Sequence, residues 1–109
     1  MGAKETLEKI KQLEKIIDEG FIDEIIDLTI DKLIYYEKSK LEKELDEIRG
    51  KMVEFEKKYE MDSSTFDKQF KEGKLGDKED LFEWNALFEM HSRIKERLRL
   101  LTRESNVPD

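Results

Sequence analysis

Apolar residues recur every three or four positions along most of this chain, the period of an amphipathic helix. Residues 4–19 carry Leu7, Ile10, Leu13 and Ile17 on one face. Gly20 then interrupts the pattern, as a helix stop or a kink would. The longest periodic run follows, over 21–60. Its later half reads Leu41, Leu45, Ile48, Met52, Phe55 and Tyr59, with spacings of 4, 3, 4, 3 and 4. That is a heptad seam. Opposite charges four apart surround it, namely Lys38/Glu42, Lys40/Glu44, Lys43/Glu47, Glu47/Lys51 and Glu54/Lys58. Each such pair adds about 0.2–0.5 kcal/mol to an isolated helix. A continuous helix here would run about 60 Å, and one helix cannot hide its own stripe.

The earlier half of that run carries more apolar residues than one stripe needs. Ile22, Ile26, Leu33 and Tyr36 define a face, while Phe21, Ile25 and Leu28 fall beside it. A hairpin within the chain covers one stripe, so the surplus predicts a second contact, with another copy or with a foreign partner. Asp23, Asp27 and Asp31 stand four apart along the same segment. A straight helical row of carboxylates cannot wrap a calcium ion, so its expected counterpart is solvent or a basic protein surface.

Residues 61–76 break the period. Asp62, Ser63 and Ser64 are N-cap candidates, and Phe66 and Phe70 lie four apart on a short helix over 63–72. Gly73 is placed as its stop, and Asp77 as the N-cap of a last helix over 78–102. That helix repeats Leu81, Trp84, Phe88, His91, Lys95 and Leu98, with Leu87, Ile94 and Leu101 on a neighbouring stripe. Arg93, Lys95, Arg97, Arg99 and Arg103 suit the negative end of its dipole. Glu89 and Arg93 have the spacing of a helical ion pair, and residues 103–109 read as a frayed tail. The expected fold is all-α: one domain over 1–109, built on a coiled-coil-like antiparallel αα-hairpin of long helices, with a short connecting helix and an N-terminal helix.

Composition sharpens this picture. Charged residues make up 45% of the 109 positions and hydrophobic ones 37%, a balance suited to long helices with wide solvated faces. Leu, Ile, Val and Phe still number 30, above the level below which disorder is expected. The formal net charge of −7 repels phosphates and anionic lipid, which disfavours direct nucleic acid binding. A basic protein partner would be attracted. Lacking cysteine, the chain has neither a disulfide framework nor a thiolate metal site. Met1-Gly2-Ala3-Lys4-Glu5 does not open an apolar signal run, no stretch has the length of a membrane span, and the expected location is cytoplasmic.

Candidate chemistry is sparse. His91 is the one histidine, which rules out paired-histidine zinc and di-iron arrangements. No nucleophile motif or phosphate-cradling glycine loop occurs. An enzyme of the chorismate-mutase kind needs an inward-pointing set of Arg and Lys, and the apolar seams lack internal arginine. No enzymatic activity, cofactor or metal is therefore expected.

One block goes beyond periodicity. Phe55-Glu56-Lys57-Lys58-Tyr59-Glu60-Met61, then Ser63-Ser64, Phe66, Phe70, Glu72-Gly73-Lys74-Leu75-Gly76-Asp77 and Asp80-Leu81-Phe82-Glu83-Trp84 resemble a family of small helical proteins of archaea and cyanobacteria. That family is associated with the antitoxin side of toxin–antitoxin pairs. The resemblance covers roughly residues 25–101 and brings no catalytic residues with it. It implies an acidic inhibitor that lays helices over a basic toxin, a ribonuclease or a nucleotidyl-modifying enzyme. The partner surface is then Phe21, Ile22, Ile25, Ile26, Leu28, Leu33 and Tyr36 with Asp23, Asp27 and Asp31. The alternative is a homo-oligomeric coiled-coil scaffold that uses the same strip on itself.

Overall fold

Four helices make up the fold in a computed structural model that describes residues 2–102: α1 (Ala3–Asp18), α2 (Glu24–Tyr59), α3 (Ser63–Lys71) and α4 (Glu79–Leu101). No strand occurs among the described residues. The tail expected over 103–109, with Arg103, lies outside them. Two compact units divide within α2, between Tyr35 and Tyr36, and each is described by itself.

The N-terminal unit holds α1 and the first turns of α2. Gly20 does break the chain. It sits at φ +90°, where a side chain would be strained. Gly20 N–H donates to the Ile17 carbonyl (2.9 Å) and Phe21 N–H to that of Ile16 (3.1 Å). This pair of bonds is a Schellman closure, which satisfies two carbonyls that the helix end would otherwise orphan. The new helix starts later than the periodicity alone suggests. Asp23 accepts a hydrogen bond from Ile26 N–H (2.9 Å) and so serves as the cap of α2. Phe21, Ile22 and Asp23 accordingly lie before α2 rather than on it.

The C-terminal unit holds the rest of α2 with α3 and α4. At Glu60 the backbone turns left-handed, φ +52°, and Met61 N–H reaches the Glu56 carbonyl (3.2 Å). Asp62 then caps α3 by accepting from Thr65 N–H (2.8 Å). At the other end of α3, Gly73 at φ +74° closes a second Schellman turn, through Gly73 N–H to the Phe70 carbonyl and Lys74 N–H to that of Gln69. The N-cap of α4 is Lys78, with no side-chain cap bond, not Asp77. Glu79 and Asp80 in the first turn still favour the dipole at this end.

With α4 returning antiparallel along α2, the C-terminal unit closes as a helical hairpin. Near its closed end, Tyr59 Oη donates to Asp80 Oδ2 (3.1 Å), and Phe55 stacks beside Trp84 at 5.8 Å. Leu41, Ile48 and Met52 of α2 meet Leu81, Trp84, Leu87 and Ile94 of α4 in one core, to which α3 adds Phe66. Trp84 and Phe66 are wholly buried. Their rings lie 3.9 Å apart and nearly parallel, 6° between planes.

Two charge pairings differ from the helical spacing. Lys58, four residues after Glu54, bridges to Asp80 on α4. Glu89, four before Arg93, meets Lys71 of α3 (3.3 Å). Inter-helix partners win here because the hairpin brings them as close as a helical turn would, and no extra backbone must be ordered.

Gly50 lies inside α2, and a Cβ added there would meet nothing within 4 Å. Gly costs roughly 0.8–1.0 kcal/mol relative to Ala in a helix interior. Gly50→Ala should therefore stabilise the C-terminal unit by about that amount. Urea unfolding followed by circular dichroism measures it, and a lower midpoint would contradict the open geometry at Gly50.

Candidate functional site

The N-terminal unit pairs two apolar helices without forming a core. No residue of α1 is buried, and the buried residues of α2 begin only at Leu41. Leu7, Ile10, Leu13 and Ile16 of α1 are exposed, as are Phe21, Ile22, Ile25, Leu28, Leu33, Ile34, Tyr35 and Tyr36. Exposure reaches 66% at Phe21 and 75% at Ile25. Eleven of these side chains, Leu7 to Tyr35, belong to this unit, an exposed apolar surface that isolated surface residues do not account for.

Between α1 and α2 runs a groove of about 330 Å³, lined by Ile10, Leu13, Ile17, Ile30 and Leu33 and bordered by Glu14 and Asp18. Ile17, Ile26 and Ile30 are half-buried. Ile25 and Leu28 stand on another side of α2, well exposed. Tyr36 lies just beyond the division between units, also exposed.

The acidic row is broken up by the fold. Asp23 is spent on capping α2, while Asp27 and Asp31 remain exposed on the helix. Charge in this unit is nonetheless one-sided. Up to Tyr35 there are five lysines, no arginine and nine carboxylates, a net −4. Among the described residues, no three carboxylate or imidazole side chains gather closely enough to hold a metal ion.

The C-terminal unit carries the polar network that periodicity misses. Trp84 Nε1–H donates to Ser63 Oγ (2.9 Å). Ser63 Oγ–H donates in turn to Glu56 Oε2 (2.8 Å), which also accepts from Ser63 N–H (2.9 Å) and from Arg49 (3.0 Å). Burial pushes the Glu56 carboxyl up, but the Ser63 hydroxyl, Arg49 and the Ser63 backbone together hold it below its ordinary value. Ser63 looks like one N-cap candidate among several in the sequence. Only its seven-residue offset from Glu56, across a turn, hints at this role.

Beside the network is an open cleft that includes Arg49, Glu56, His91, Ser92 and Lys95. Burial, then the Lys95 and Arg49 cations, pushes the His91 imidazole down, against the pull of Glu56. The neutral imidazole is therefore favoured at His91. The cleft balances its charges: Arg49 is engaged by Glu56, and Asp62 stands on the same wall.

These shifts set an acid dependence. A depressed carboxylate contributes stability that is fully present above its ordinary value near 4.5 and is lost as pH falls through the lower, folded value. A depressed imidazole works in the same direction, beginning near 6.5, because the unfolded chain takes the proton first. The C-terminal unit should lose stability on acidification from pH 7, most steeply below 4.5. Glu56→Gln should flatten the lower part of that profile in denaturant melts across pH 3–7. Parallel profiles for the two chains would disprove the assignment to Glu56.

In comparisons with known proteins, the chain matches no protein-family model, no curated protein and no solved structure.

Proposed function

We propose that the chain is a non-catalytic protein-binding module, an antitoxin-like inhibitor of a basic partner, which it holds on the N-terminal unit. One observation carries this reading: two amphipathic helices up to Tyr35 bury no residue, while eleven large apolar side chains from Leu7 to Tyr35 are exposed. Leaving such surface in water forgoes about 25 cal/mol for every Å² that a partner could cover. The net −4 of the same unit favours a partner of positive charge, through steering and through rim contacts.

The resemblance over residues 25–101 supports the narrower antitoxin reading. Direct DNA binding is not part of the proposal, because the net charge of −7 opposes it. No helix among the described residues is long and apolar enough to cross a membrane.

Co-expression with the product of the adjacent gene tests the function. That product should arrest growth when expressed alone, bind this chain in a pull-down and be relieved of its toxicity. A product neither toxic nor bound would sink the proposal. The second reading, a homo-oligomeric coiled-coil scaffold, draws on the same apolar surface. It predicts a sedimenting dimer or tetramer that Ile26→Asp with Leu33→Asp turns into a monomer.

A further inference from the structure

We propose that the groove between α1 and α2 takes a single basic amphipathic helix from the partner protein. This deepens the protein-binding reading above and rests on it.

The groove's shape selects a helix. On one wall Ile10, Leu13 and Ile17 stand three and four apart, and on the other Ile30 and Leu33 stand three apart. Rows at this spacing are the ridges that a third helix fits between. On α1 the lining runs from Ile10 to Asp18, about 13 Å at 1.5 Å per residue, so roughly two to three turns of the occupant lie along it. A third helix turns the pair into a three-helix bundle and gives the N-terminal unit the core it lacks.

Charge selects the sign of the occupant. Glu14 and Asp18 border the groove, and none of the five lysines up to Tyr35 is among its lining residues. A second copy of this chain laid over the groove would add its own net −4 up to Tyr35 to the carboxylates of Glu14 and Asp18. Like charges across an interface suppress that pairing. A helix with Leu or Ile on one face and Lys or Arg along its border meets both demands.

The test uses the full chain and two fluorescein-labelled 18-residue helical peptides. They share one leucine face, which is flanked by Lys and Arg in the first peptide and by Glu in the second. Fluorescence anisotropy should show the basic peptide bound at least tenfold more tightly. Glu14→Lys with Asp18→Lys takes the net charge from −7 to −3 and should reverse that order. Glu44→Lys with Glu47→Lys makes the same change of net charge outside the groove and should leave the order as it is. Equal affinities for the two peptides, no binding of either, or an order that survives the Glu14/Asp18 reversal would each overturn the groove assignment. So would a dimer in sedimentation that Leu33→Asp dissolves. These readouts are independent of the co-expression assay. If the adjacent product is captured but the peptides fail, the function stands and the groove does not. If the peptides behave as expected but nothing adjacent is captured, the antitoxin reading falls and the groove stands.

Discussion

Trp84→Ala unfolds the C-terminal unit or leaves it barely folded. Trp84 has no exposed surface and stacks with Phe66, Phe55 and Tyr59, the three aromatic neighbours brought by α3 and α2. Truncating a large buried aromatic costs about 3–5 kcal/mol, a large share of the roughly 5–15 kcal/mol that holds a domain of ordinary size. The loss has a second part. Without the indole N–H, Ser63 Oγ has no donor above it, and the chain of bonds from Trp84 through Ser63 and Glu56 to Arg49 loses its buried end. Trp84→Phe separates the two contributions: it keeps most of the stacking area and removes the hydrogen bond, worth about 0.5–1.5 kcal/mol. Urea melts followed by circular dichroism should rank wild type above Trp84→Phe and Trp84→Phe well above Trp84→Ala. A Trp84→Ala chain within 1 kcal/mol of wild type would mean that the aromatic stack is not the keystone of this unit.

Leu13→Asp with Leu33→Asp should abolish capture of the partner while leaving the fold almost intact. Both side chains are well exposed, Leu33 at 58%, so in the free protein the change mainly exchanges a wet apolar group for a wet polar one. Exposed substitutions away from special features stay within about ±0.5 kcal/mol. In the complex, two carboxylates would be buried in an apolar contact. Hot-spot residues cost about 2 kcal/mol or more each, so the pair should weaken binding by roughly 1,000-fold. Helical content and the midpoint of thermal unfolding, measured beside the binding isotherm, show whether the loss belongs to the contact. Binding reduced by less than threefold would place the partner elsewhere on the molecule.

The two substitutions act on different units for a physical reason. Past Tyr36 the stripe of α2 meets another large helix and an aromatic plug from α3. Before it, among the described residues, the neighbouring helix is α1, and two narrow helices cannot enclose a volume from which water is excluded. Apolar residues of the same kind are therefore core at Leu41, Ile48 and Met52 but surface at Ile25, Leu28 and Leu33.

How far the chain could be read follows from the range of each signal. Helix number, the breaks near Glu60 and at Gly73, and the antiparallel return of α4 were legible, because they depend on residues within a turn or on a regular period. At Gly20 a stop and a kink were equally open until the φ of +90° decided it. The excess of apolar positions over 21–36 was legible too, as a count that one stripe cannot absorb. Three features needed the tertiary structure. Asp23 leaves the acidic row because its carboxylate accepts from the Ile26 amide and caps α2. Lys58 and Glu89 take partners on other helices, which helical spacing cannot foresee. The bonds joining Trp84, Ser63, Glu56 and Arg49 span up to 21 positions of sequence. Local signals are carried by neighbours along the chain and can be read from its letters. A buried hydrogen bond depends on which groups lose water together, and only the packing of α2, α3 and α4 decides that.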